Sequence, residues 1–162
     1  MFHVSCSMRI GDKAPNFNLL DQDGKSHSLA DYKGSWFLLY FYPKDNTTGC
    51  TQEACMLRDD FLGFKKLKVK IVGVSIDSPK SHKKFANEYN LPFTLLSDED
   101  KKTVNSYGVW QEKSMYGKKY MGTVRTSFLI NPKGVIEKIY EKVVPAEHSK
   151  EVLEDLKQII IL

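Results

Sequence analysis

Residues 36–55 read WFLLYFYPKDNTTGCTQEAC, and this stretch decides the fold. The run 36–42 is apolar or aromatic throughout, too short for a buried helix and stopped by Pro43. That predicts a central strand covered on both faces. Beyond a polar loop, Ala54, Leu57, Phe61 and Phe64 recur at steps of three and four residues, the spacing of one buried helix face. A strand therefore feeds through a loop ending near Cys50 directly into a helix.

Working outward, the alternation repeats. Residues 70–76 (KIVGVSI) read as a second strand, and Ser78-Pro79 supplies a helix cap with proline at the first helical position, ahead of Phe85, Ala86 and Tyr89. Residues 91–96 read as a third strand, followed by a short helix at 100–107 and a Gly-, Lys- and Tyr-rich stretch through Gly122 that is expected to be a long, mobile loop. Residues 126–130 and 135–140 flank Asn131-Pro132-Lys133-Gly134, a turn joining antiparallel strands, and 147–160 form an amphipathic final helix. At the front, Asp23-Gly24 is a turn dipeptide inside a hairpin over residues 16–29. These elements imply an α/β fold with a mixed central sheet flanked by helices and an N-terminal β-hairpin extension. Nothing marks a second domain, so residues 1–162 are expected to be one unit, with 1–7 a flexible extension.

Composition narrows the function classes. With 41% hydrophobic and 27% charged residues, the 162-residue chain sits in the globular class. No apolar run approaches the length that spans a bilayer, and the start MFHVSCSMRI lacks the apolar centre of a secretory signal, so a cytoplasmic protein without a membrane partner is expected. The net charge of +4 comes from 24 basic residues, dispersed apart from pairs such as Lys65-Lys66 and Lys118-Lys119, against 20 acidic ones. No continuous basic stripe with interleaved aromatics is present, which argues against a nucleic-acid partner. Three cysteines are too few for a secreted disulfide framework, and closely spaced cysteines in a reducing compartment point to catalysis or metal binding.

Attention falls on Cys50 and Cys55. The loop 43–50 leaves the carboxyl end of the most apolar strand, the position where chemistry sits in open α/β sheets. A cysteine reacts as thiolate, and an unperturbed thiol is ionised only to a few per cent near pH 7. The sequence offers three sources of help for the anion. Cys50 falls in the opening turn of the helix, where free backbone N–H groups and the helix dipole favour negative charge. Arg125 immediately precedes the strand 126–130, and a mixed sheet could bring it beside the loop. Thr47 lies three residues before Cys50, close enough for its hydroxyl to bond the sulfur or an incoming oxygen. Pro43 restricts the loop and shields the site from water.

The segment Pro43-Lys44-Asp45-Asn46-Thr47-Thr48-Gly49-Cys50 resembles the P-x-x-x-[TS]-x-x-C signature of peroxiredoxins. It continues as Thr51-Gln52-Glu53-Ala54-Cys55 and Arg58-Asp59, similar to the peroxiredoxin Q, or bacterioferritin comigratory protein, subfamily. Residues 9–17 (RIGDKAPNF) and 125–130 (RTSFLI) resemble that subfamily's start and its arginine-bearing strand, so the likeness covers nearly the whole chain. Thr48 departs from it, since proline is common there.

The resemblance implies a thioredoxin-like fold and a thiol peroxidase without metal or cofactor. Cys50 would be the peroxidatic nucleophile, Cys55 the resolving thiol, Thr47 and Arg125 activators and peroxide binders, and Glu53 a group that orients the arginine. It also implies hydroperoxide substrates, thioredoxin or a similar dithiol reductant, and a monomer. Five residues apart on an intact helix, two Cα atoms lie roughly 8.6 Å from each other, beyond the roughly 7 Å that a disulfide tolerates. A Cys50–Cys55 bond therefore requires the helix start to unwind, over about Gly49 to Cys55.

Rival readings remain. With Cys55 a core residue, the protein would be a one-cysteine peroxidase resolved by an external thiol. A thioredoxin-like disulfide oxidoreductase would use C-x-x-C, and here the spacing is C-x-x-x-x-C. A copper-binding assembly factor would need a histidine converging on two cysteines, and His27, His82 and His148 are expected to lie away from the cysteine loop. Cys6 reads as a passive thiol, and His3 with Cys6 does not make a metal site.

Overall fold

The computed structural model describes residues 8–161. The expectations for residues 1–7, including Cys6 and His3, fall outside them.

The run 36–42 forms β3 (Trp36–Phe41), an interior strand of a seven-stranded sheet. On one side β3 pairs in parallel with β4 (Val69–Ser75), which pairs in parallel with β5 (Thr94–Ser97). On the other side it pairs antiparallel with β8 (Thr126–Ile130), which pairs antiparallel with β9 (Ile136–Tyr140). The N-terminal hairpin, β1 (Asn18–Asp21) and β2 (Ser26–Ser28), completes the order β2-β1-β5-β4-β3-β8-β9. The hairpin extends the sheet itself, because β1 pairs antiparallel with β5.

Strand period explains why β3 is apolar at every position. Leu38 and Tyr40 of β3, followed by Tyr42, point into one core with Ala54, Leu57, Phe64, Phe85 and Leu156, on the face covered by helices α1 (Thr48–Asp59), α2 (Phe61–Lys66), α3 (Pro79–Tyr89) and α5 (His148–Ile161). Phe37, Leu39 and Phe41 point into a second core with Phe17, Tyr32, Val104, Tyr107 and Phe128, closed by the N-terminal segment, a 3-10 turn at Leu29–Tyr32 and helix α4 (Lys102–Ser106). Each fully buried Leu or Phe contributes about 1.5–3 kcal/mol relative to exposure, so the strand that carries the cysteine loop is among the most firmly held in the sheet.

Ser78 caps α3 as expected, its hydroxyl accepting from the Ser81 N–H. Three expectations change. The helix after the cysteine loop is broken at Asp60, which leaves the helical conformation with φ of −95° and ψ of 7° and stands at once as the C-cap of α1 and the N-cap of α2. Strand β5 starts at Thr94 rather than at residue 91, since Asn90 ends α3 in a left-handed conformation and Pro92 has no N–H for the ladder. The stretch through Gly122 is a hairpin, β6 (Trp110–Met115) paired antiparallel with β7 (Lys118–Thr123). Tyr116 and Gly117 turn it with φ of 52° and 78°, the geometry of a two-residue type I′ turn.

Candidate active site

The loop between β3 and α1 brings Cys50 to the carboxyl end of β3, at the third residue of α1. The backbone N–H groups of Thr48, Gly49 and Cys50 precede the first intrahelical bond, from Thr51 N–H to the Thr47 carbonyl at 2.9 Å, and they give the sulfur a field that favours negative charge. Cys50 is 1% exposed and belongs to the core beneath α1.

The antiparallel pairing of β3 with β8 sets Thr126 opposite Phe41, so Arg125 emerges beside the cysteine loop. Its Nη2 donates to Cys50 Sγ at 3.3 Å, and its Nη1 donates to Glu53 Oε1 at 2.6 Å. Glu53 lies three residues after Cys50 on α1 and is fully buried. Gly49 makes room for this arrangement: a Cβ there would lie 3.1 Å from Arg125 Nη2 and 3.7 Å from Pro145 Cγ. The guanidinium therefore lies over the first turn of α1, tied to the sulfur on one arm and to the carboxylate on the other.

The electrostatics of the cluster follow from its burial. Desolvation pushes Glu53 up to about 7, with Arg125 pulling the other way. Burial opposes the Arg125 charge, and the Glu53 carboxylate and Cys50 outweigh it, holding the guanidinium above its usual value. Glu53 Oε2 and the Tyr40 hydroxyl are both buried without a hydrogen-bond partner among the described residues. Desolvation pushes the Tyr40 phenol well above its usual value, with Glu53 and then Cys50 adding to the effect.

Thr47 stands at the N-cap position, exposed, and its hydroxyl donates to the Lys44 carbonyl at 2.8 Å instead of to the Cys50 sulfur. Its oxygen lone pairs face no donor among the described residues and are available to an incoming hydroxyl group. Pro43 is half-buried at the start of the loop. Cys55 is half-buried on the same unbroken helix as Cys50, and both are free thiols in this structure. The five-residue separation on a regular helix, roughly 8.6 Å between Cα atoms, applies to α1 as it stands.

One histidine is not where the sequence leads one to expect: His82 of α3 contacts Asp45 inside the cysteine loop at 2.7 Å. His148 is buried against Ser127 of β8 at 2.8 Å. Burial lowers the His148 pKa, Glu151 opposes that, and the Arg125 charge adds to it. Asp45, Asp77 and His82 are close enough to suggest a cation site. Both ring nitrogens of His82 are engaged within the protein, Nδ1 with Asp45 at 2.7 Å and Nε2 with the Leu96 carbonyl at 3.0 Å.

The sequence also missed Lys113. It sits on β6, donates to the Thr123 carbonyl at 2.9 Å and packs its stem where a Gly122 Cβ would lie 3.0 Å away. Burial and the Arg125 cation hold its ammonium below the usual value while Cys50 pulls it up. The alternation that could have placed it is faint, because most of the hairpin is exposed on both faces. A cavity of about 830 Å³ opens elsewhere, lined by Tyr32, Phe61, Val69, Lys70 and Phe93 at the amino end of β4. The thiol, guanidinium and buried carboxylate that converge at Cys50 make that cluster, and not the cavity, the candidate site.

The sequence matches the AhpC/TSA family over residues 10–139. It is 46% identical over 151 residues to peroxiredoxin Bcp of Escherichia coli K12, an alignment covering 93% of this chain and 97% of that protein. Among solved structures it is similar to a cysteine-to-serine mutant of Xylella fastidiosa PrxQ, at 34% identity and a TM-score of 0.90, covering 96% of this chain and 99% of the other. It is also similar to the Xanthomonas campestris bacterioferritin comigratory protein, at 35% identity and a TM-score of 0.87, covering 96% and 99%. That bacterioferritin comigratory protein was solved as trapped intermediate and ligand complexes bearing on its alkyl peroxide reduction activity.

Proposed function

This chain belongs to the AhpC/TSA family as a thiol peroxidase of the peroxiredoxin Bcp and Q kind, and from that premise we propose a two-cysteine cycle carried by Cys50 and Cys55. The Cys50 thiolate attacks one oxygen of a hydroperoxide. An S–O bond forms, the O–O bond breaks, and the second oxygen leaves as hydroxide or alkoxide and takes up a proton. Arg125 offers N–H donors to the sulfur and to the oxygen being transferred, and charge-assisted bonds of this kind strengthen as negative charge develops there. Glu53 fixes the guanidinium, and Thr47 accepts the hydrogen of the peroxide. Cys50 is left as a sulfenic acid.

Cys55 then attacks the Cys50 sulfur, forming the disulfide and releasing water. Since the regular helix holds the two Cα atoms too far apart, α1 unwinds over about Gly49 to Cys55 before the bond closes. A dithiol protein such as thioredoxin reduces the disulfide by exchange and restores the thiols. Hydrogen peroxide and organic hydroperoxides are both substrates on this reading, the latter favoured by the alkyl peroxide activity named for the Xanthomonas campestris relative.

The observation that carries the reading is the 3.3 Å bond from Arg125 Nη2 to Cys50 Sγ at the first turn of α1. The experiment is hydroperoxide consumption with thioredoxin and its reductase. Cys50→Ser is expected to lose all activity, and Cys55→Ser to reduce one equivalent per chain without turnover. Full turnover in Cys50→Ser overturns the proposal. Continued turnover in Cys55→Ser with an added small thiol alone assigns the one-cysteine route instead. No helix among the described residues is long and apolar enough to cross a membrane.

A further inference from the structure

Asp45 lies inside the cysteine loop, between Pro43 and Thr47, yet it is almost fully buried. Its backbone N–H and both carboxylate oxygens are engaged. The N–H donates to Asp77 Oδ2 at 2.9 Å, and that oxygen also accepts from the Ser75 hydroxyl at 2.6 Å. The Tyr42 hydroxyl donates to Asp45 Oδ1 at 2.6 Å, the Ser81 hydroxyl donates to Oδ2 at 2.8 Å, and His82 Nδ1 meets Oδ2 at 2.7 Å. The loop is thereby tied to the end of β3, to the segment after β4 and to the first turn of α3.

The pair is buried and held from both ends: His82 Nε2 meets the Leu96 carbonyl at 3.0 Å, and Nδ1 meets the Tyr42 hydroxyl at 3.3 Å as well as Asp45 Oδ2. Removing either partner leaves the other with an unmet buried bond, the costly case for a polar network.

We infer that Asp45 and His82 are positioning residues for the peroxidase reaction: they hold the loop that presents Thr47 and Cys50, and they set the amino-side limit of the segment that unwinds for disulfide formation. This rests on the two-cysteine reading above. Asp45 is anchored to the segment after β4 and to α3, so the chain is held as far as Asp45 and is free to move only beyond it. The same anchor keeps the folded site, with Thr47 at the mouth and Cys50 under Arg125, as the resting arrangement. Loosening it therefore acts oppositely on the two steps. Oxidation, which needs the folded loop, slows, while resolution, which needs the open one, does not.

The test follows tryptophan fluorescence of the full-length protein through one turnover with hydrogen peroxide, resolving Cys50 oxidation from disulfide closure. Asp45→Asn and His82→Gln are each expected to slow oxidation roughly fivefold or more while closure is unchanged or faster. The double variant is expected to recover part of the loss, because the two sites are directly coupled. Ser81→Ala removes one donor to Asp45 and should shift both steps in the same directions by less, which keeps the test open if the stronger variants fold poorly. Oxidation within twofold of wild type in folded Asp45→Asn and His82→Gln overturns the inference. A parallel fall of both rates that tracks stability also overturns it, since that is a structural role only. A wild-type chain whose Cys50 is not oxidised at all removes the underlying two-cysteine reading, a result separate from any difference among these variants.

Discussion

Arg125 Nη2 donates to Cys50 Sγ across 3.3 Å, joining residues 75 positions apart in the chain. The bond exists because β8 runs antiparallel to β3, which sets the residue before Thr126 beside the loop that follows Phe41. The other arm of the guanidinium is held by Glu53 at 2.6 Å, so the fork has one orientation available to it. A lysine keeps the charge but lacks the planar fork that reaches the two groups from separate nitrogens. Arg125→Lys is expected to lower the second-order rate with hydrogen peroxide roughly 10- to 100-fold, the worth of one charge-assisted hydrogen bond. Stopped-flow peroxide consumption measures it, and a change under threefold contradicts the role.

Gly49 gives a second handle on the same contact. In a helix, alanine is ordinarily favoured over glycine by roughly 0.5–1 kcal/mol. Here the added Cβ would stand 3.1 Å from Arg125 Nη2 and push the guanidinium by a few tenths of an ångström. Gly49→Ala is expected to keep or raise the urea midpoint while lowering the peroxide rate roughly tenfold, as small misplacements of reacting groups do. Stability and rate moving down together would instead indicate general damage to α1.

Glu53 should leave a mark on stability against pH. Burial raises its pKa from 4.5 to about 7, Arg125 opposing, so between those values the native protein keeps a proton that the unfolded chain gives up. Native stability conferred by this residue therefore falls as pH rises from about 4.5 to about 7 and is constant above. Relative to Glu53→Gln, wild type is expected to lose up to about 3 kcal/mol across that window, at about 1.36 kcal/mol per unit. Urea unfolding of both proteins at pH 5 and pH 7.5 reads it, and a difference that grows in wild type's favour contradicts the assignment.

What the sequence revealed, and what it hid, has a physical basis. The strand at 36–41 was legible because burial on both faces leaves no room for a polar residue, and α3 because Ser78-Pro79 is a cap with a mechanism. Cys50, Cys55, Thr47 and Glu53 lie within one short segment, and it is the resemblance of that segment to the peroxiredoxin signature that gives Cys55 and Glu53 their expected roles. Arg125 could be named from its strand but not placed, since its neighbour across the site depends on strand order. The β6 and β7 hairpin stayed hidden because most of its residues are exposed on both faces and Tyr116-Gly117 is a weak turn signal; Lys113 was lost with it. Asp45 and His82 escaped for another reason. Their bond spans 37 positions, and neither residue type announces burial.

The central claim is that Cys50 and Cys55 share α1 in the thiol form and bond only after its first turns open. Amide hydrogen exchange, read by mass spectrometry before and after one equivalent of hydrogen peroxide, tests it most directly. Exchange is expected to rise sharply over residues 49–55 in the oxidised protein, with β3 and β8 still protected and a Cys50–Cys55 linkage in the digest. Unchanged protection over 49–55 alongside that same linkage would contradict it.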